Sequence, residues 1–224
     1  MADIPDSLRH KIVSVQKQTF FNGDESPSMT YTEYFNELGQ VNVQTSWNNH
    51  FNSMSIKKYY FYDSKGQLNK IQSIHYSKAD SSISTETFTY NQQGLLKKNH
   101  FGIIKYKYNQ DSLLIEKVEK TAKPYDHKTT YSYDSLKRLT KIETFFYSGL
   151  DSRRVYEYDS TGKIVKEIKS YFYGDKENPS SQYEHIFEYD KNGLLTIEFQ
   201  NQTINRGSDK KETRVYKYVY EFHN

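Results

Sequence analysis

Cysteine is absent from this chain of 224 residues. Disulfides, thiolate metal sites and cysteine nucleophiles are therefore excluded. Glycine and proline are scarce, with ten and four copies, so collagen-like and low-complexity readings fail. No apolar run approaches the ~18 residues that a membrane-spanning helix needs. The first twenty residues lack the charged-then-apolar order of a signal peptide. An excess of one charge is missing too: 31 basic residues stand against 28 acidic ones, interspersed along the chain. Nucleic-acid binding needs a concentrated basic patch. The nearest stretch, DKKETR at 209–214, sets two acids against its three bases. No nucleic-acid partner is expected.

Recognised chemistry is equally sparse. There is no G-x-S-x-G elbow and no phosphate-binding glycine loop. The seven histidines, at 10, 50, 75, 100, 127, 185 and 223, show no H-x-H or H-x-x-x-H spacing. No metal, no cofactor and no catalytic residue is expected, and the chain reads as a non-enzyme; an enzyme whose site is assembled from dispersed residues stands as the last alternative.

What the chain has is tyrosine, 22 copies with 13 phenylalanines, and a pattern that uses it. YEYDSTGKI at 156–164 shows the unit. Tyr156 and Tyr158 share a strand face because they are two apart. Asp159 to Gly162 is a turn: Asp bonds its own backbone two residues on, and Gly takes positive φ without steric cost. Together they code a three-residue hairpin loop. The expected register pairs Asp159 with Lys163, Tyr158 with Ile164 and Tyr156 with Lys166. Tyr156, Tyr158, Ile164, Lys166 and Ile168 then form the core side, with the Lys166 stem along Tyr156. Val155, Glu157, Val165, Glu167 and Lys169 form the other side.

The unit recurs. YFYDSKGQL at 60–68, FTYNQQGLL at 88–96 and FEYDKNGLL at 187–195 fit in full. YKYNQDSLL at 106–114 has Ser112 in the glycine position, and YSYDSLKRL at 131–139 has Lys137 there. EYFNELGQV at 33–41 keeps the turn with one aromatic in register, Phe35. Seven copies result, their Asp or Asn spaced by 27, 28, 18, 25, 25 and 31 residues. Return loops are expected at 47–53, 77–82, 121–128, 148–152 and 174–181. The repeated acids at 63, 134, 159 and 190 are explained by the turn, and no calcium-loop spacing accompanies them.

These readings give an all-β chain, an antiparallel meander of repeated hairpins with about 14–16 strands. It forms a curved single sheet, a thin sandwich or an open barrel. One domain, 1–224, is expected: an N-terminal cap at 1–32, seven hairpin repeats at 33–200, and a capping strand at 201–224. KIVSVQKQTFF at 11–21 and RVYKYVYEF at 214–222 are strands without the repeat, and PDSLRHKIV near the start holds a short helical turn.

The Y-x-Y-D-x-x-G-x-L pattern resembles the YD repeats of rearrangement-hot-spot (Rhs) proteins and of the teneurins, over residues 33–200. Where that family has Arg after the Gly, this chain has Gln, Leu or Lys in most copies. The resemblance implies the strand–turn–strand architecture. It also implies an alternative role, as a structural piece of a larger surface or toxin-delivery assembly. The long shells of that family need many more repeats than seven.

The function expected from these features is a secreted or cell-envelope module that binds a glycan or a protein partner. An export signal, or a lipid anchor, would lie upstream of this chain. The candidate ligand-binding residues are the recurrent first aromatics, Tyr60, Phe88, Tyr106, Tyr131, Tyr156 and Phe187, which would form a row across neighbouring hairpins. Trp47, the lone tryptophan, joins them as a loop residue flanked by Asn.

Overall fold

The computed structural model describes every residue except 1–3, 22–23, 78–79, 100–103, 121–125, 147–148, 174–177, 205–211 and 224. Four expected return loops, 77–82, 121–128, 148–152 and 174–181, lie partly outside the described residues, as does half of the DKKETR stretch. Among the described residues the chain is all-β apart from one turn of helix, α1 (Asp6–Arg9), in which Pro5 O accepts from the backbone N–H groups of Leu8 and Arg9.

Sixteen antiparallel strands follow. They are β1 (Ile12–Phe21), β2 (Met29–Phe35), β3 (Val41–Asn48), β4 (Ser53–Tyr62), β5 (Leu68–Tyr76) and β6 (Ser81–Tyr90). Next come β7 (Leu96–Asn99), β8 (Ile104–Tyr108), β9 (Leu114–Glu119), β10 (His127–Tyr133) and β11 (Leu139–Phe146). The last are β12 (Gly149–Tyr158), β13 (Ile164–Tyr171), β14 (Ser181–Tyr189), β15 (Leu195–Ile204) and β16 (Glu212–Phe222).

The hydrogen-bonded order is β7-β6-β5-β4-β3-β2-β1-β16-β15-β14-β13-β12-β11-β10-β9-β8. Neighbours in sequence are neighbours in the sheet except β7 and β8, which stand at the two ends of the order. The two strands expected as caps pair with each other: Lys17 faces Tyr218 and Thr19 faces Tyr216. Pairing β1 with β16 satisfies two backbone edges that terminal strands would otherwise leave open. The ends of the order are instead β7 and β8, of four and five residues. They flank the shortest repeat spacing, the 18 residues from Asn91 to Asn109.

By internal packing the chain divides into two compact units. One comprises 1–87, 187–199 and 213–224; the other comprises 88–186 and 200–212. In the first, Ile4, Ile12, Val15, Leu194 and Leu195 form a buried cluster, with Leu8, Phe35, Phe187, Tyr189, Tyr218 and Tyr220 packed on it. The short helix supplies Leu8, so the N-terminal segment covers part of this core.

The turns are built as their residues dictate. Asp159 Oδ1 accepts from the backbone N–H of Thr161 at 2.8 Å and of Lys163 at 2.9 Å. Asp63, Asn91, Asp134 and Asp190 each accept from the same two positions. These bonds hold the Asp134 and Asp159 carboxyls below the usual range, led by the N–H groups of Arg138 and Lys163. The repeated acids are spent on their own turns.

The fourth turn residue is left-handed in all seven copies, with φ between 62° at Ser112 and 87° at Gly162. Ser112 and Lys137 therefore sit where glycine is favoured. Ser112→Gly and Lys137→Gly are each expected to stabilise by up to ~1 kcal/mol in urea denaturation. Lys137 gains less, because its exposed 2.8 Å ion pair with Asp111 is lost. A loss of stability in both variants would contradict this reading.

One expectation is corrected. Tyr158 pairs with Ile164 as expected, but a bulge follows, so Glu157 faces Lys166 and Tyr156 faces Glu167. Lys166 therefore leaves Tyr156 and bonds Glu184 at 2.7 Å on the opposite face. The same register shift falls before the second aromatic in five other hairpins, at Phe35, Tyr62, Tyr90, Tyr108 and Tyr133. A left-handed turn residue with an unpaired extra residue is the usual consequence of this loop type.

The bulge has a companion. The second aromatic reaches back and donates its hydroxyl to a backbone carbonyl of the preceding repeat. Tyr62 bonds Val41 O, Tyr108 bonds Leu96 O, Tyr133 bonds Leu114 O and Tyr158 bonds Leu139 O, at 2.7–2.9 Å. Tyr220 of β16 does the same to Leu195 O at 2.8 Å. Tyrosine can make this bond and phenylalanine cannot, whereas the first aromatic alternates between Tyr and Phe. Phe35, which has no preceding repeat, has no hydroxyl and packs on the core.

Candidate ligand groove

The first unit carries a polar network on its buried face. Val15 faces Glu33 and Lys17 faces Tyr31, which puts these four side chains on one side of the sheet. Glu33 is 4% exposed and accepts from Gln44 Nε2 at 3.0 Å; Tyr60 donates its hydroxyl to Gln44 Oε1 at 3.0 Å. Burial pushes the Glu33 carboxyl up, against the pull of the Gln44 hydrogen bond. Burial, reinforced by Glu33, pushes the Tyr60 phenol up to about 12. Nearby, Glu198 is 5% exposed and receives Lys17 Nζ at 2.7 Å and the Tyr218 hydroxyl at 2.6 Å. Lys17 Nζ also lies 4.0 Å from the centroid of the Tyr216 ring. These groups partner one another. The cavity of about 320 Å³ in this unit is lined mainly by apolar or aromatic groups, among them Ile4, Phe35, Val41, Tyr60 and Leu68.

The second unit holds a more polar groove of about 200 Å³, lined by Arg154, Glu167, Lys169, Tyr171, Tyr183, His185 and Gln200. Three adjacent strands build most of it by register, and β15 adds Gln200. Arg154 of β12 faces Lys169 of β13, which faces Tyr183 of β14. One step along, Tyr156 faces Glu167, which faces His185. Directly opposed residues share a face, so the bulge that moved Glu167 opposite Tyr156 also assembles this groove. Tyr171 and Tyr183 meet edge to face, with ring centroids 5.9 Å apart. Glu167 Oε1 lies 3.7 Å from Arg154 Nε, and Lys169 Nζ lies 4.6 Å from the Tyr171 ring centroid. Burial raises the Tyr156 phenol and Glu167 adds to this, while Arg154 opposes them.

The candidate residues from the sequence fall as follows. Tyr60, Phe88, Tyr106, Tyr131, Tyr156 and Phe187 are all half-buried. Tyr60 belongs to the buried network, and Phe187 packs on the first core. Tyr156 shares the face of the groove, and Tyr131 neighbours both Tyr156 and Arg154 electrostatically. Trp47 is not in a loop: it lies in β3, paired with Thr30 and Met54, in the first unit. The sequence pattern did not single out Arg154, Lys169, Tyr171, Tyr183 or His185 as a group. They lie outside the repeat's fixed positions, and their meeting depends on cross-strand register. Among the described residues, no cluster of three metal-ligating side chains occurs, and no helix is long and apolar enough to cross a membrane.

No family model and no curated protein matches the chain. Among solved structures it is similar to a porin-like protein from Bacteroides uniformis, with a TM-score of 0.53 and 14% sequence identity. That match covers 94% of this chain and 98% of the other, and at such identity it shows a shared fold. A second similarity is to a chain of the TcdB2–TccC3–Cdc42 complex, with a TM-score of 0.31 and 13% identity. It covers 91% of this chain but 14% of that one, and a score this low carries no argument.

Proposed function

We propose that this chain is a non-catalytic β-repeat module of a cell-envelope or secreted protein, and that it binds a glycan in the groove of its second unit. The observation that carries the reading is the groove lining itself. A pair of tyrosine rings lies beside amide, imidazole, guanidinium, ammonium and carboxylate groups on one sheet face. Sugars offer apolar ring faces and rims of hydroxyls, so they are bound by aromatic surface with a few placed polar groups. The lining contains one carboxylate, Glu167, beside Arg154. Glycoside hydrolysis ordinarily uses two, which favours binding over cleavage. The envelope setting rests on the fold, shared with a protein described as porin-like.

The test is a thermal-shift titration of the whole chain against soluble polysaccharides and cell-wall fragments. At least one should raise the midpoint saturably, by an amount equivalent to about 3 kcal/mol at a hundredfold excess over Kd. Tyr183→Ala should abolish the rise and Trp47→Ala should keep it. A flat response across the panel would end the glycan reading. Loss of the response in Trp47→Ala alone would move the site to the first unit.

A further inference from the structure

Arg154 and Lys169 face each other directly across β12 and β13. Like charges in this arrangement repel at close range and destabilise a sheet. The same strands avoid it elsewhere: Arg153 faces Glu143 at 2.8 Å, and Glu157 faces Lys166. Among the described pairings, Arg154 and Lys169 are the one place where two like charges stand directly opposite. That place is inside the groove. Glu167 answers Arg154 at 3.7 Å. Among the described residues, no carboxylate lies within ion-pair distance of Lys169; its described close partner is the Tyr171 ring. The lining's lysine, arginine and carboxylate side chains are two cations and one anion, a net charge of +1.

Resting on the glycan reading above, we infer that the groove selects acidic saccharides, with Lys169 receiving the sugar's carboxylate while Tyr171 and Tyr183 contact its ring. A bound carboxylate would turn the repulsive pair into a charge-assisted contact, which is stronger than a neutral hydrogen bond. A neutral sugar would leave the repulsion in place. The cationic pair therefore works as a discriminator as well as an anchor.

The experiment titrates oligosaccharides of galacturonic, glucuronic and mannuronic acid, and sialyllactose, each beside its neutral parent, by calorimetry. At least one acidic member should bind about tenfold or more tightly than its parent. The advantage should shrink as salt rises from about 0.05 M to about 0.5 M. In Lys169→Gln the ratio of acidic to neutral affinity should fall to about one. Independently of any ligand, Lys169→Gln should raise the melting midpoint by ~1–3 °C at low salt, because it removes the like-charge pair.

Equal binding of acidic and neutral members would overturn the acidic preference and leave the glycan reading standing. Binding by neither would overturn both. A preference that survives Lys169→Gln, or a melting midpoint lowered by that substitution, would overturn the role assigned to Lys169.

Discussion

Replacing Glu198 by alanine is expected to cost about 3 kcal/mol of stability, which is typical of breaking a buried ion pair by removing one partner. Glu198 lies at 5% exposure and receives two donors, Lys17 Nζ at 2.7 Å and the Tyr218 hydroxyl at 2.6 Å. Truncation strands both. The hydroxyl suffers more, because burial and the nearby Glu198 charge already push the Tyr218 phenol far above its ordinary value. The Lys17 side chain is 30% exposed and keeps its contact with the Tyr216 ring. Solvent and that ring will screen part of its charge, so the loss should not reach the top of the range for buried pairs. Glu198→Gln should cost less, since an amide oxygen still accepts one of the two bonds. Urea denaturation of the single variants and of Lys17→Met/Glu198→Ala would separate the contributions. Removing the cation with the anion should recover more than ~1 kcal/mol of the single-variant loss, as the uncompensated charge disappears. A Glu198→Ala loss well below ~1 kcal/mol would mean that water enters and satisfies both donors.

The contrast between the two carboxylate environments shows what sequence patterns carry and what they do not. The turn acids Asp63, Asp134, Asp159 and Asp190 were legible because their role is local: the accepting oxygen and its donors lie within four residues. The hairpins and their left-handed turn residue were legible for the same reason, even where Ser112 and Lys137 replace glycine. Glu33 and Glu198 were not, because their partners come from other strands, Gln44 in one case and Lys17 with Tyr218 in the other. The groove failed to appear in the sequence through a one-residue effect. Plain alternation across the Asp159 turn puts Lys166 opposite Tyr156, whereas the bulge puts Glu167 there and brings Arg154, Lys169 and His185 onto the same face. A one-residue slip exchanges the two faces of a strand. The sign of that slip was nonetheless written in the chain. Tyrosine, never phenylalanine, fills the second aromatic position from Tyr62 to Tyr189, and the hydroxyls of Tyr62, Tyr108, Tyr133 and Tyr158 reach a carbonyl of the previous repeat.

The second large effect concerns Ile12, whose substitution by alanine should destabilise by about 3–4 kcal/mol, within the range for buried isoleucine. Ile12 is fully buried, at 0% exposure. Its neighbours in the cluster come from separate parts of the chain: Ile4 before the helix, Val15 on its own strand, and Leu194 and Leu195 beside the last repeat turn. Collapse around a cavity is limited when the lining is held by different elements, and the cost of a truncation grows with the cavity that remains. Ile12 also begins β1, which is hydrogen-bonded to β2 on one side and β16 on the other. Backbone movement toward the void would therefore strain two ladders. Ile12→Val should cost about 1 kcal/mol, since it removes one methylene and little shape. Ile83→Ala, at a site 65% exposed on β6, should fall within about 0.5 kcal/mol of zero. The check is urea denaturation of the three variants under one set of conditions. The predicted order is Ile12→Ala far below Ile12→Val, with Ile83→Ala near the parent. If Ile12→Ala loses no more than Ile83→Ala, the cluster beside the helix is not a core, and the covering role given to the N-terminal segment fails with it.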